Sequence, residues 1–208
     1  MAEHDRFLLI CTVKDEGPNI LEWVAYHRDL GFTDIVIFEN NSFDLTDRTL
    51  RVLNRIGVIQ YLPNNFLPGQ ANPPFQTRAY RRAARLDIYQ QADWCMTLDS
   101  DEFLQINVGD GRLGDLIAAV GEDTDAVRIN WRVFGSSGLR VLDRRLVTER
   151  FVQTTFAQNV MARPHPVKTL FRPRAFARLG IHLPKVPRVE RPVTRTGSGS
   201  KAYRNQLR

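Results

Sequence analysis

Short apolar runs alternate with segments of helical periodicity along the first half of this chain, and that alternation constrains its fold more than any other feature. Four apolar runs have the length of buried strands: residues 7–13, 34–38, 58–62 and 94–98. Between the first two runs, apolar side chains recur at helical spacing from Ile20 to Leu30. Strands that alternate with helices predict an α/β fold, in which a mostly parallel sheet carries helices on both faces.

The pattern also predicts how the chain is divided. Residues 76–92 have helical spacing, and we expect one helix there. Beyond residue 110 the alternation loosens, and from residue 187 onward Pro, Arg, Gly and Ser dominate. We therefore expect one domain over residues 1–186, followed by a basic, disordered tail over residues 187–208.

The composition is that of a globular domain. The 208 residues are 43% hydrophobic and 25% charged, which is too apolar for a disordered chain. No uncharged apolar stretch is long enough to span a membrane, and acids precede the N-terminal apolar run, unlike in a signal peptide. Cys11 and Cys95 lie in apolar runs, which favours buried, reduced thiols and a cytoplasmic protein.

Charge is divided unevenly along the chain. The net charge is +6, but residues 1–124 carry −8 and residues 125–208 carry +14. Such a split favours contact of the C-terminal part with polyanions, phosphates or an anionic membrane surface. An arginine-rich surface that contacts only solvent explains the same charge, and both interpretations stay open.

Several common phosphate-binding and catalytic motifs are absent. The sequence contains no GxGxxG, GxxxxGK[ST], GxSxG or HExxH. A P-loop NTPase, or a dinucleotide fold with its own phosphate loop, is therefore disfavoured. His27 lies on the apolar face of the first predicted helix, where a structural histidine is the better interpretation.

Acidic residues follow the fourth apolar run directly, in the stretch Asp99-Ser100-Asp101-Glu102. Asp99 and Asp101 stand two residues apart, and in an extended chain their side chains point to the same side. Oxygen ligands at the carboxyl edge of a parallel sheet suit Mn²⁺ or Mg²⁺, which keeps open positions for substrate phosphates. An acid-rich turn or helix cap would show the same spacing.

Seven segments of the sequence, taken together, resemble a known family. They are residues 14–27 (the KDEG…EWVAYH block), 30–32, 40–44, Gln76, 98–103 (LDSDEF), 131–138 and 167–170. In this order they resemble the GT-A glycosyltransferases, and within them the glycosyltransferase-family-2-like proteins and relatives once described as a domain of unknown function. The resemblance covers residues 7–185.

The resemblance implies a GT-A-like, Rossmann-type fold and a nucleotide-diphosphate-sugar donor, most often a UDP-sugar. It places Thr12, Lys14 and Glu16 at the border of the nucleobase pocket. Asn41 and Asp44 would lie near the base and the ribose.

The resemblance also implies Mn²⁺ or Mg²⁺ bound through the Asp-x-Asp motif. Gln76 would lie beside the donor, Asp99 would face the ribose or a metal-bound water, and Asp101 would bind the metal. In many GT-A enzymes a late histidine completes the metal shell. His182 is the candidate here, and His165 is its competitor.

The chemistry of glycosyl transfer adds further candidates. Charge develops on a diphosphate leaving group, and Lys168 and Arg172, close to His182 in sequence, could stabilise it. An inverting transferase also needs a carboxylate that deprotonates the acceptor hydroxyl. Glu149 and, after it, Asp143 are the candidates because they follow the FGSSG segment, although either could instead pair with a neighbouring arginine.

We expect a glycan or lipid-linked acceptor and peripheral contact with the inner face of the membrane. Two other functions stay open. A sugar-phosphate nucleotidyltransferase would carry a basic, Gly-rich loop after the first strand, whereas residues 14–18 are acidic and glycine-poor. A basic RNA-binding module would interleave exposed aromatics with arginine, which the C-terminal part hardly does, so nucleic acid is not an expected partner.

Overall fold

A computed structural model describes residues 5–65, 74–141, 143–154 and 167–196. Within these ranges the strands are β1 (Phe7–Val13), β2 (Asp34–Glu39), β3 (Gln60–Pro63), β4 (Trp94–Thr97), β5 (Ala126–Asn130), β6 (Val167–Phe171), β7 (Phe176–Arg178), β8 (Lys185–Pro187) and β9 (Thr194–Thr196). The helices are α1 (Ile20–Leu30), α2 (Thr46–Arg55), α3 (Phe75–Ala83), α4 (Asp87–Gln90), α5 (Leu113–Val120) and α6 (Val147–Arg150).

Seven of these strands form one sheet in the order β3-β2-β1-β4-β6-β5-β9. β3, β2, β1 and β4 run parallel, and β9 runs parallel to β5. β6 is antiparallel to both of its neighbours, β4 and β5. The predicted α/β fold with a mostly parallel sheet is confirmed, and β7 and β8 form a separate antiparallel ribbon.

Helices cover both faces of the sheet. Side chains on both faces of β1 are therefore buried, and the buried ones are apolar. Leu9 and Cys11 pack on the face that carries α1, α2 and α5, whereas Leu8 and Ile10 pack on the face that carries α3 and α4. Each fully buried apolar side chain of this kind adds about 1.5–3 kcal/mol to the free energy of unfolding, relative to an exposed one. This burial fixes the position of the strand ends that build the site.

The single helix predicted over residues 76–92 is wrong. α3 ends at Ala83, and Leu86 adopts an extended conformation before α4 begins at Asp87. The extended residue redirects the chain so that Tyr89 packs into the core on this face. Helical spacing alone did not show this break because apolar residues continue through it.

The tail predicted from residue 187 starts too early. β9 pairs with β5 and forms the edge of the sheet, and the Asp125 amide donates to the Val193 carbonyl at 2.9 Å. The Val193 amide in turn donates to Asp125 Oδ2 at 3.0 Å. The pairing of β9 with β5 uses backbone hydrogen bonds, which do not depend on side-chain composition. The Pro- and Arg-rich composition therefore gave no sign of this strand. Residues 197–208 lie outside the described residues.

Both thiols are buried, as predicted. Cys11 and Cys95 are fully buried on opposite faces of the sheet, and burial raises the pKa of each thiol well above its ordinary value. In the described part of the chain, no helix is both long and apolar enough to cross a membrane.

Candidate active site

Three loops meet where β1, β2 and β4 end, at the carboxyl edge of the parallel part of the sheet. Ligands of α/β sheets bind at this edge. The first two loops are bonded to each other, since the Asp15 amide donates to Ser42 Oγ at 3.0 Å. The Phe43 amide donates to Asp15 Oδ1 at 2.6 Å. The third loop carries the DSDE segment.

The residues predicted for the nucleobase pocket lie at this edge. Thr12 and Glu16 are half-buried, and Lys14 and Asn41 are exposed. The Lys14 ammonium lies 5.1 Å from the ring centre of Phe43, which is 89% exposed. An exposed aromatic ring with a cation beside it offers a planar surface to a ligand.

Asp44, predicted to lie near the base and the ribose, bonds to backbone groups of both loops. Its carboxylate accepts hydrogen bonds from the Gly17 amide at 2.9 Å and from the Thr46 amide at 2.8 Å. Burial tends to raise the pKa of Asp44, but the hydrogen bonds from Thr46 and Gly17 outweigh it and lower the pKa. A Cβ at Gly17 would lie 2.9 Å from Asp44 Oδ2, so the contact also requires glycine there. Asp44 therefore joins the first loop to the second.

A buried lysine holds two carboxylates of the third loop together. Lys168 is 2% exposed, and its Nζ lies 2.8 Å from Asp99 Oδ2 and 3.0 Å from Glu102 Oε2. Gln76 Nε2 donates to Asp99 Oδ1 at 2.7 Å, and the Asp99 amide donates to Glu102 Oε2 at 2.9 Å. Lys168, Asp99, Glu102 and Gln76 thus form one connected group, the acid–lysine cluster.

The electrostatics of this cluster favour an additional cation. Burial raises the pKa of Glu102, and the nearby Lys168 charge only partly opposes that rise. One ammonium faces two carboxylates, and Asp101 adds a third acid to the same segment of the chain. Asp101 is exposed and has no side-chain partner among the described residues.

Side chains of helix α1 fix the backbone of the third loop by hydrogen bonds. Trp23 Nε1 donates to the Glu102 carbonyl, and the Tyr26 hydroxyl donates to the Leu104 carbonyl, both at 2.9 Å. His27 Nδ1 lies 2.8 Å from the Trp23 carbonyl, and the Leu104 amide lies 3.4 Å from His27 Nε2. His27 is therefore a buried structural histidine, as predicted, and one that supports the acidic loop.

The predicted histidine ligand lies beside the cluster, next to Trp131. Thr169 Oγ1 donates to the His182 carbonyl at 2.7 Å and so fixes the backbone there. The His182 and Trp131 rings are 5.4 Å apart, and the Trp131 ring centre is 5.8 Å from Lys168 Nζ. The competing candidate, His165, lies outside the described residues.

The described residues contain no preassembled metal site. No three His, Cys, Asp or Glu side chains among them are grouped so that they could hold an ion. Gln76 contacts one oxygen of Asp99 and Lys168 contacts the other, so each oxygen already has one partner. Asp101 and His182 are exposed and can offer donor atoms. This donor set fits an ion that takes its other ligands from a diphosphate and water, as Mg²⁺ commonly does.

No contact in the described chain joins either of the two predicted catalytic bases to the acid–lysine cluster. Asp143 accepts bonds from Arg145 Nε at 2.8 Å and Nη2 at 2.6 Å, and these bonds lower its pKa. Glu149 is exposed, and its Oε2 accepts only a long bond of 3.3 Å from the Leu146 amide. The salt-bridge interpretation therefore fits Asp143 but not Glu149.

Helix α6, which carries Glu149, is bonded to the start of helix α1. Glu22 of α1 accepts hydrogen bonds from the Val147 amide at 2.6 Å and the Thr148 amide at 3.0 Å. Arg150 Nη2 donates to Asn19 Oδ1 at 2.8 Å, immediately before α1. These contacts seat α6 against the start of α1, next to the first loop of the site.

Arg172 does not assist this site, contrary to the expectation from its position in sequence. Its guanidinium lies 4.2 Å from the ring centre of Trp94, the first residue of β4. Its Nε donates to the Thr124 carbonyl at 3.0 Å. Because β6 is antiparallel to β4, Lys168 lies at the carboxyl edge of β4 and Arg172 lies at the opposite edge.

Two site residues were not predicted individually. Glu102 belongs to the acidic run, and its spacing of three from Asp99 could have indicated a turn closed by its side chain. Trp131 belongs to the segment 131–138 that carries the family resemblance, but no role was predicted for it. Neither residue's contact with Lys168 follows from local sequence, since β6 is distant along the chain.

These observations define an α/β protein whose candidate ligand site, rich in carboxylates, lies at the carboxyl edge of a parallel sheet. Residues 11–205 match the family model of glycosyltransferase family 92, and the chain belongs to that family. The predicted glycosyltransferase class is thereby confirmed, and the matched model is that of family 92; the likeness to the family-2-like proteins stays a prediction.

Several solved structures show partial similarity to this chain. S. aureus TarS 1–349 in complex with UDP-GlcNAc is 17% identical, with a TM-score of 0.44 over 66% of this chain and 37% of that one. M. tuberculosis glucosyl-3-phosphoglycerate synthase is 14% identical, with a TM-score of 0.46 over 84% of this chain and 61% of that one. This chain thus spans less than two thirds of each. No curated protein matches the sequence.

Proposed function

We propose that this chain transfers a sugar from a nucleotide-diphosphate sugar, with a UDP-sugar as the donor, to a glycan or lipid-linked hydroxyl, with inversion. Membership in glycosyltransferase family 92 supports the reaction class. The observation that carries the proposal is the exposed Asp101 next to Asp99, which Lys168 holds at the carboxyl edge.

The proposed cofactor is Mn²⁺ or Mg²⁺. Asp101 and His182 would hold it, since both are exposed and neither is used by the acid–lysine cluster. A bound ion neutralises charge that develops on a departing diphosphate.

The chain's own residues orient the donor in this proposal. Gln76 and Lys168 each contact one oxygen of Asp99 and so fix its carboxylate plane. A carboxylate oxygen has more than one acceptor site, so Asp99 can still accept a ribose hydroxyl. Lys14 and Phe43 lie at the edge of the first two loops, where a base could contact the ring.

Glu149 is the proposed base, and Asp143 is the weaker choice. A base works best when its pKa lies near the working pH, and Arg145 lowers the pKa of Asp143 away from that range. Glu149 is exposed and carries no salt bridge in the described chain.

The acceptor proposal includes peripheral contact with the cytoplasmic face of an anionic membrane. Five of the C-terminal cations are exposed: Arg174, Arg178, Lys185, Arg188 and Arg191. Clustered Lys and Arg near such a surface contribute about 1 kcal/mol each. Arg172 is excluded from this surface because it is buried on Trp94.

Thermal unfolding with UDP and GDP, each with and without Mn²⁺, tests the donor and metal proposals. A ligand at a hundred times its Kd stabilises the folded state by about 2.7 kcal/mol. We expect Asp101→Asn to lower the Mn²⁺-dependent nucleotide affinity at least tenfold, which is about 1.4 kcal/mol.

Asp110→Asn is the matched control. Asp110 is exposed, and its side chain has no partner in the described part of the chain. Its replacement should leave nucleotide affinity unchanged. Equal Mn²⁺-dependent affinities in Asp101→Asn and the wild type would contradict the proposal.

A further inference from the structure

A basic groove lies at the edge of the sheet opposite the candidate active site. It has a volume of about 360 Å³, at the lower end for pockets that bind small organic ligands. Its lining comes from the segment before β4, residues 89–93, and from three arginines of the C-terminal part: Arg172, Arg174 and Arg188. Asp93 stands at the start of β4 and Asp99 after its end. At a rise of about 3.3 Å per residue along a strand, the two sites are roughly 20 Å apart.

The three guanidinium groups lack a matching set of carboxylates. Arg172 donates to the backbone carbonyl of Thr124, which is neutral. Arg174 and Arg188 are exposed, and neither side chain has a hydrogen-bond or ion-pair partner among the described residues. Asp93 is the carboxylate that lines the groove, and one of its oxygens accepts a bond from the Arg6 amide. The groove therefore carries an excess of positive charge.

A buried hydroxyl without a partner provides a second, independent observation. Tyr89 also lines the groove, is 4% exposed, and its hydroxyl has no hydrogen-bond partner in the described structure. Buried polar groups nearly always have a partner, so an unpaired one calls for an explanation. The Arg188 charge acts on this hydroxyl, because it opposes the rise that burial and Cys95 cause in the pKa of Tyr89.

We propose that this groove binds a phosphate ester, at a site separate from the sugar-donor site. Guanidinium groups bind phosphate oxygens in pairs of parallel hydrogen bonds, and a neutral tyrosine hydroxyl can donate a further one. Arg174 and Arg188 supply the charge, and Tyr89 supplies the neutral donor. The phosphate ester belongs either to a soluble molecule or to a lipid headgroup.

Two double variants of equal charge separate a built site from a general positive field. Arg174→Gln/Arg188→Gln removes two charges from the groove. Arg178→Gln/Lys185→Gln removes two charges from the neighbouring β7–β8 ribbon, where these residues are cross-strand partners outside the groove. Tyr89→Phe removes only the hydroxyl.

The soluble arm measures pyrophosphate binding to the full chain by calorimetry, with a chelator present so that metal-dependent binding is suppressed. We expect Arg174→Gln/Arg188→Gln to lower the affinity at least tenfold and the ribbon variant to stay within twofold of the wild type. Tyr89→Phe should weaken binding without changing its salt dependence, since it removes no charge.

The lipid arm measures co-sedimentation with phosphatidic acid vesicles and with phosphatidylcholine vesicles. The ribbon variant removes two cations of the proposed membrane surface and should therefore lose some capture. A larger loss in the groove variant than in the ribbon variant, without saturable pyrophosphate binding, identifies a lipid headgroup as the source. Saturable pyrophosphate binding without vesicle capture identifies a soluble phosphate. Equal losses in the two double variants, or no dependence on the groove in either arm, would overturn the proposal.

Discussion

Acidification should destabilise this protein through His27. The ring is fully buried, with Nδ1 donating to the Trp23 carbonyl and Nε2 accepting from the Leu104 amide. Only the neutral ring fits this pair of partners, because a proton on Nε2 would face the Leu104 N–H. Burial lowers the pKa of His27 from 6.5 to about 4, and the hydrogen bond to Trp23 opposes that shift only in part.

The sign and size of the effect follow from that shift. Between pH 6.5 and 4 the unfolded chain binds a proton at His27 and the folded chain does not, so stability falls as the pH falls. A shift of about 2.5 pKa units at about 1.36 kcal/mol each corresponds to about 3 kcal/mol. The loss is complete near pH 4 and absent above pH 7.

Urea unfolding at a series of pH values measures this loss. We expect the free energy of unfolding of His27→Gln to depend less steeply on pH than that of the wild type between pH 4 and 6.5. His182→Gln, at an exposed histidine, is the matched control and should keep the wild-type slope. Equal slopes in His27→Gln and the wild type, or an NMR titration of the His27 ring near pH 6.5, would refute the reasoning.

Two further substitutions test the support of the site. Lys168→Met leaves Asp99 and Glu102 without their buried cation and should lower the free energy of unfolding by about 3 kcal/mol. Adding Glu102→Gln should recover part of that loss, and a Lys168→Met protein as stable as the wild type would contradict the prediction. Glu22→Ala removes the acceptor at the start of α6, costs about 1 kcal/mol, and should speed proteolysis within residues 143–154. Glu122→Ala, at an exposed site, should leave the cleavage rate unchanged.

The parallel part of the fold could be predicted because each of its elements is encoded locally. β1 is a continuous apolar run, and α1 has one buried face that ends at Gly31 in the left-handed conformation. The first acid of the motif, Asp99, comes two residues after the end of β4, so its place at the carboxyl edge follows from the direction of the strand.

The partners of that acid could not be predicted, because they depend on the order and direction of distant strands. Local sequence treats Lys168 and Arg172 alike, since both lie near His182. The antiparallel direction of β6 sends one to each edge of the sheet, and only Lys168 reaches Asp99. β9 was missed for a related reason, since its pairing with β5 uses backbone groups that no side-chain pattern reveals.

The acid–lysine cluster leads to one more prediction, on how metal and nucleotide bind. Lys168 already contacts Asp99 and Glu102, which leaves Asp101 as the exposed carboxylate of the segment. Because the described residues hold no group of three metal-binding side chains, a divalent ion alone should bind weakly. A nucleotide diphosphate would supply oxygen ligands, so each ligand should raise the affinity for the other by the same factor.

Calorimetry can measure that factor in both directions: Mn²⁺ into the protein with and without UDP, and UDP into the protein with and without Mn²⁺. We expect the coupling to exceed tenfold, or about 1.4 kcal/mol, and to fall in Asp101→Asn because the variant removes the one free carboxylate. Asp110→Asn should keep it. Tight binding of Mn²⁺ without nucleotide would show that the protein alone supplies a complete set of ligands. It would contradict the prediction that the ion binds weakly without a nucleotide diphosphate.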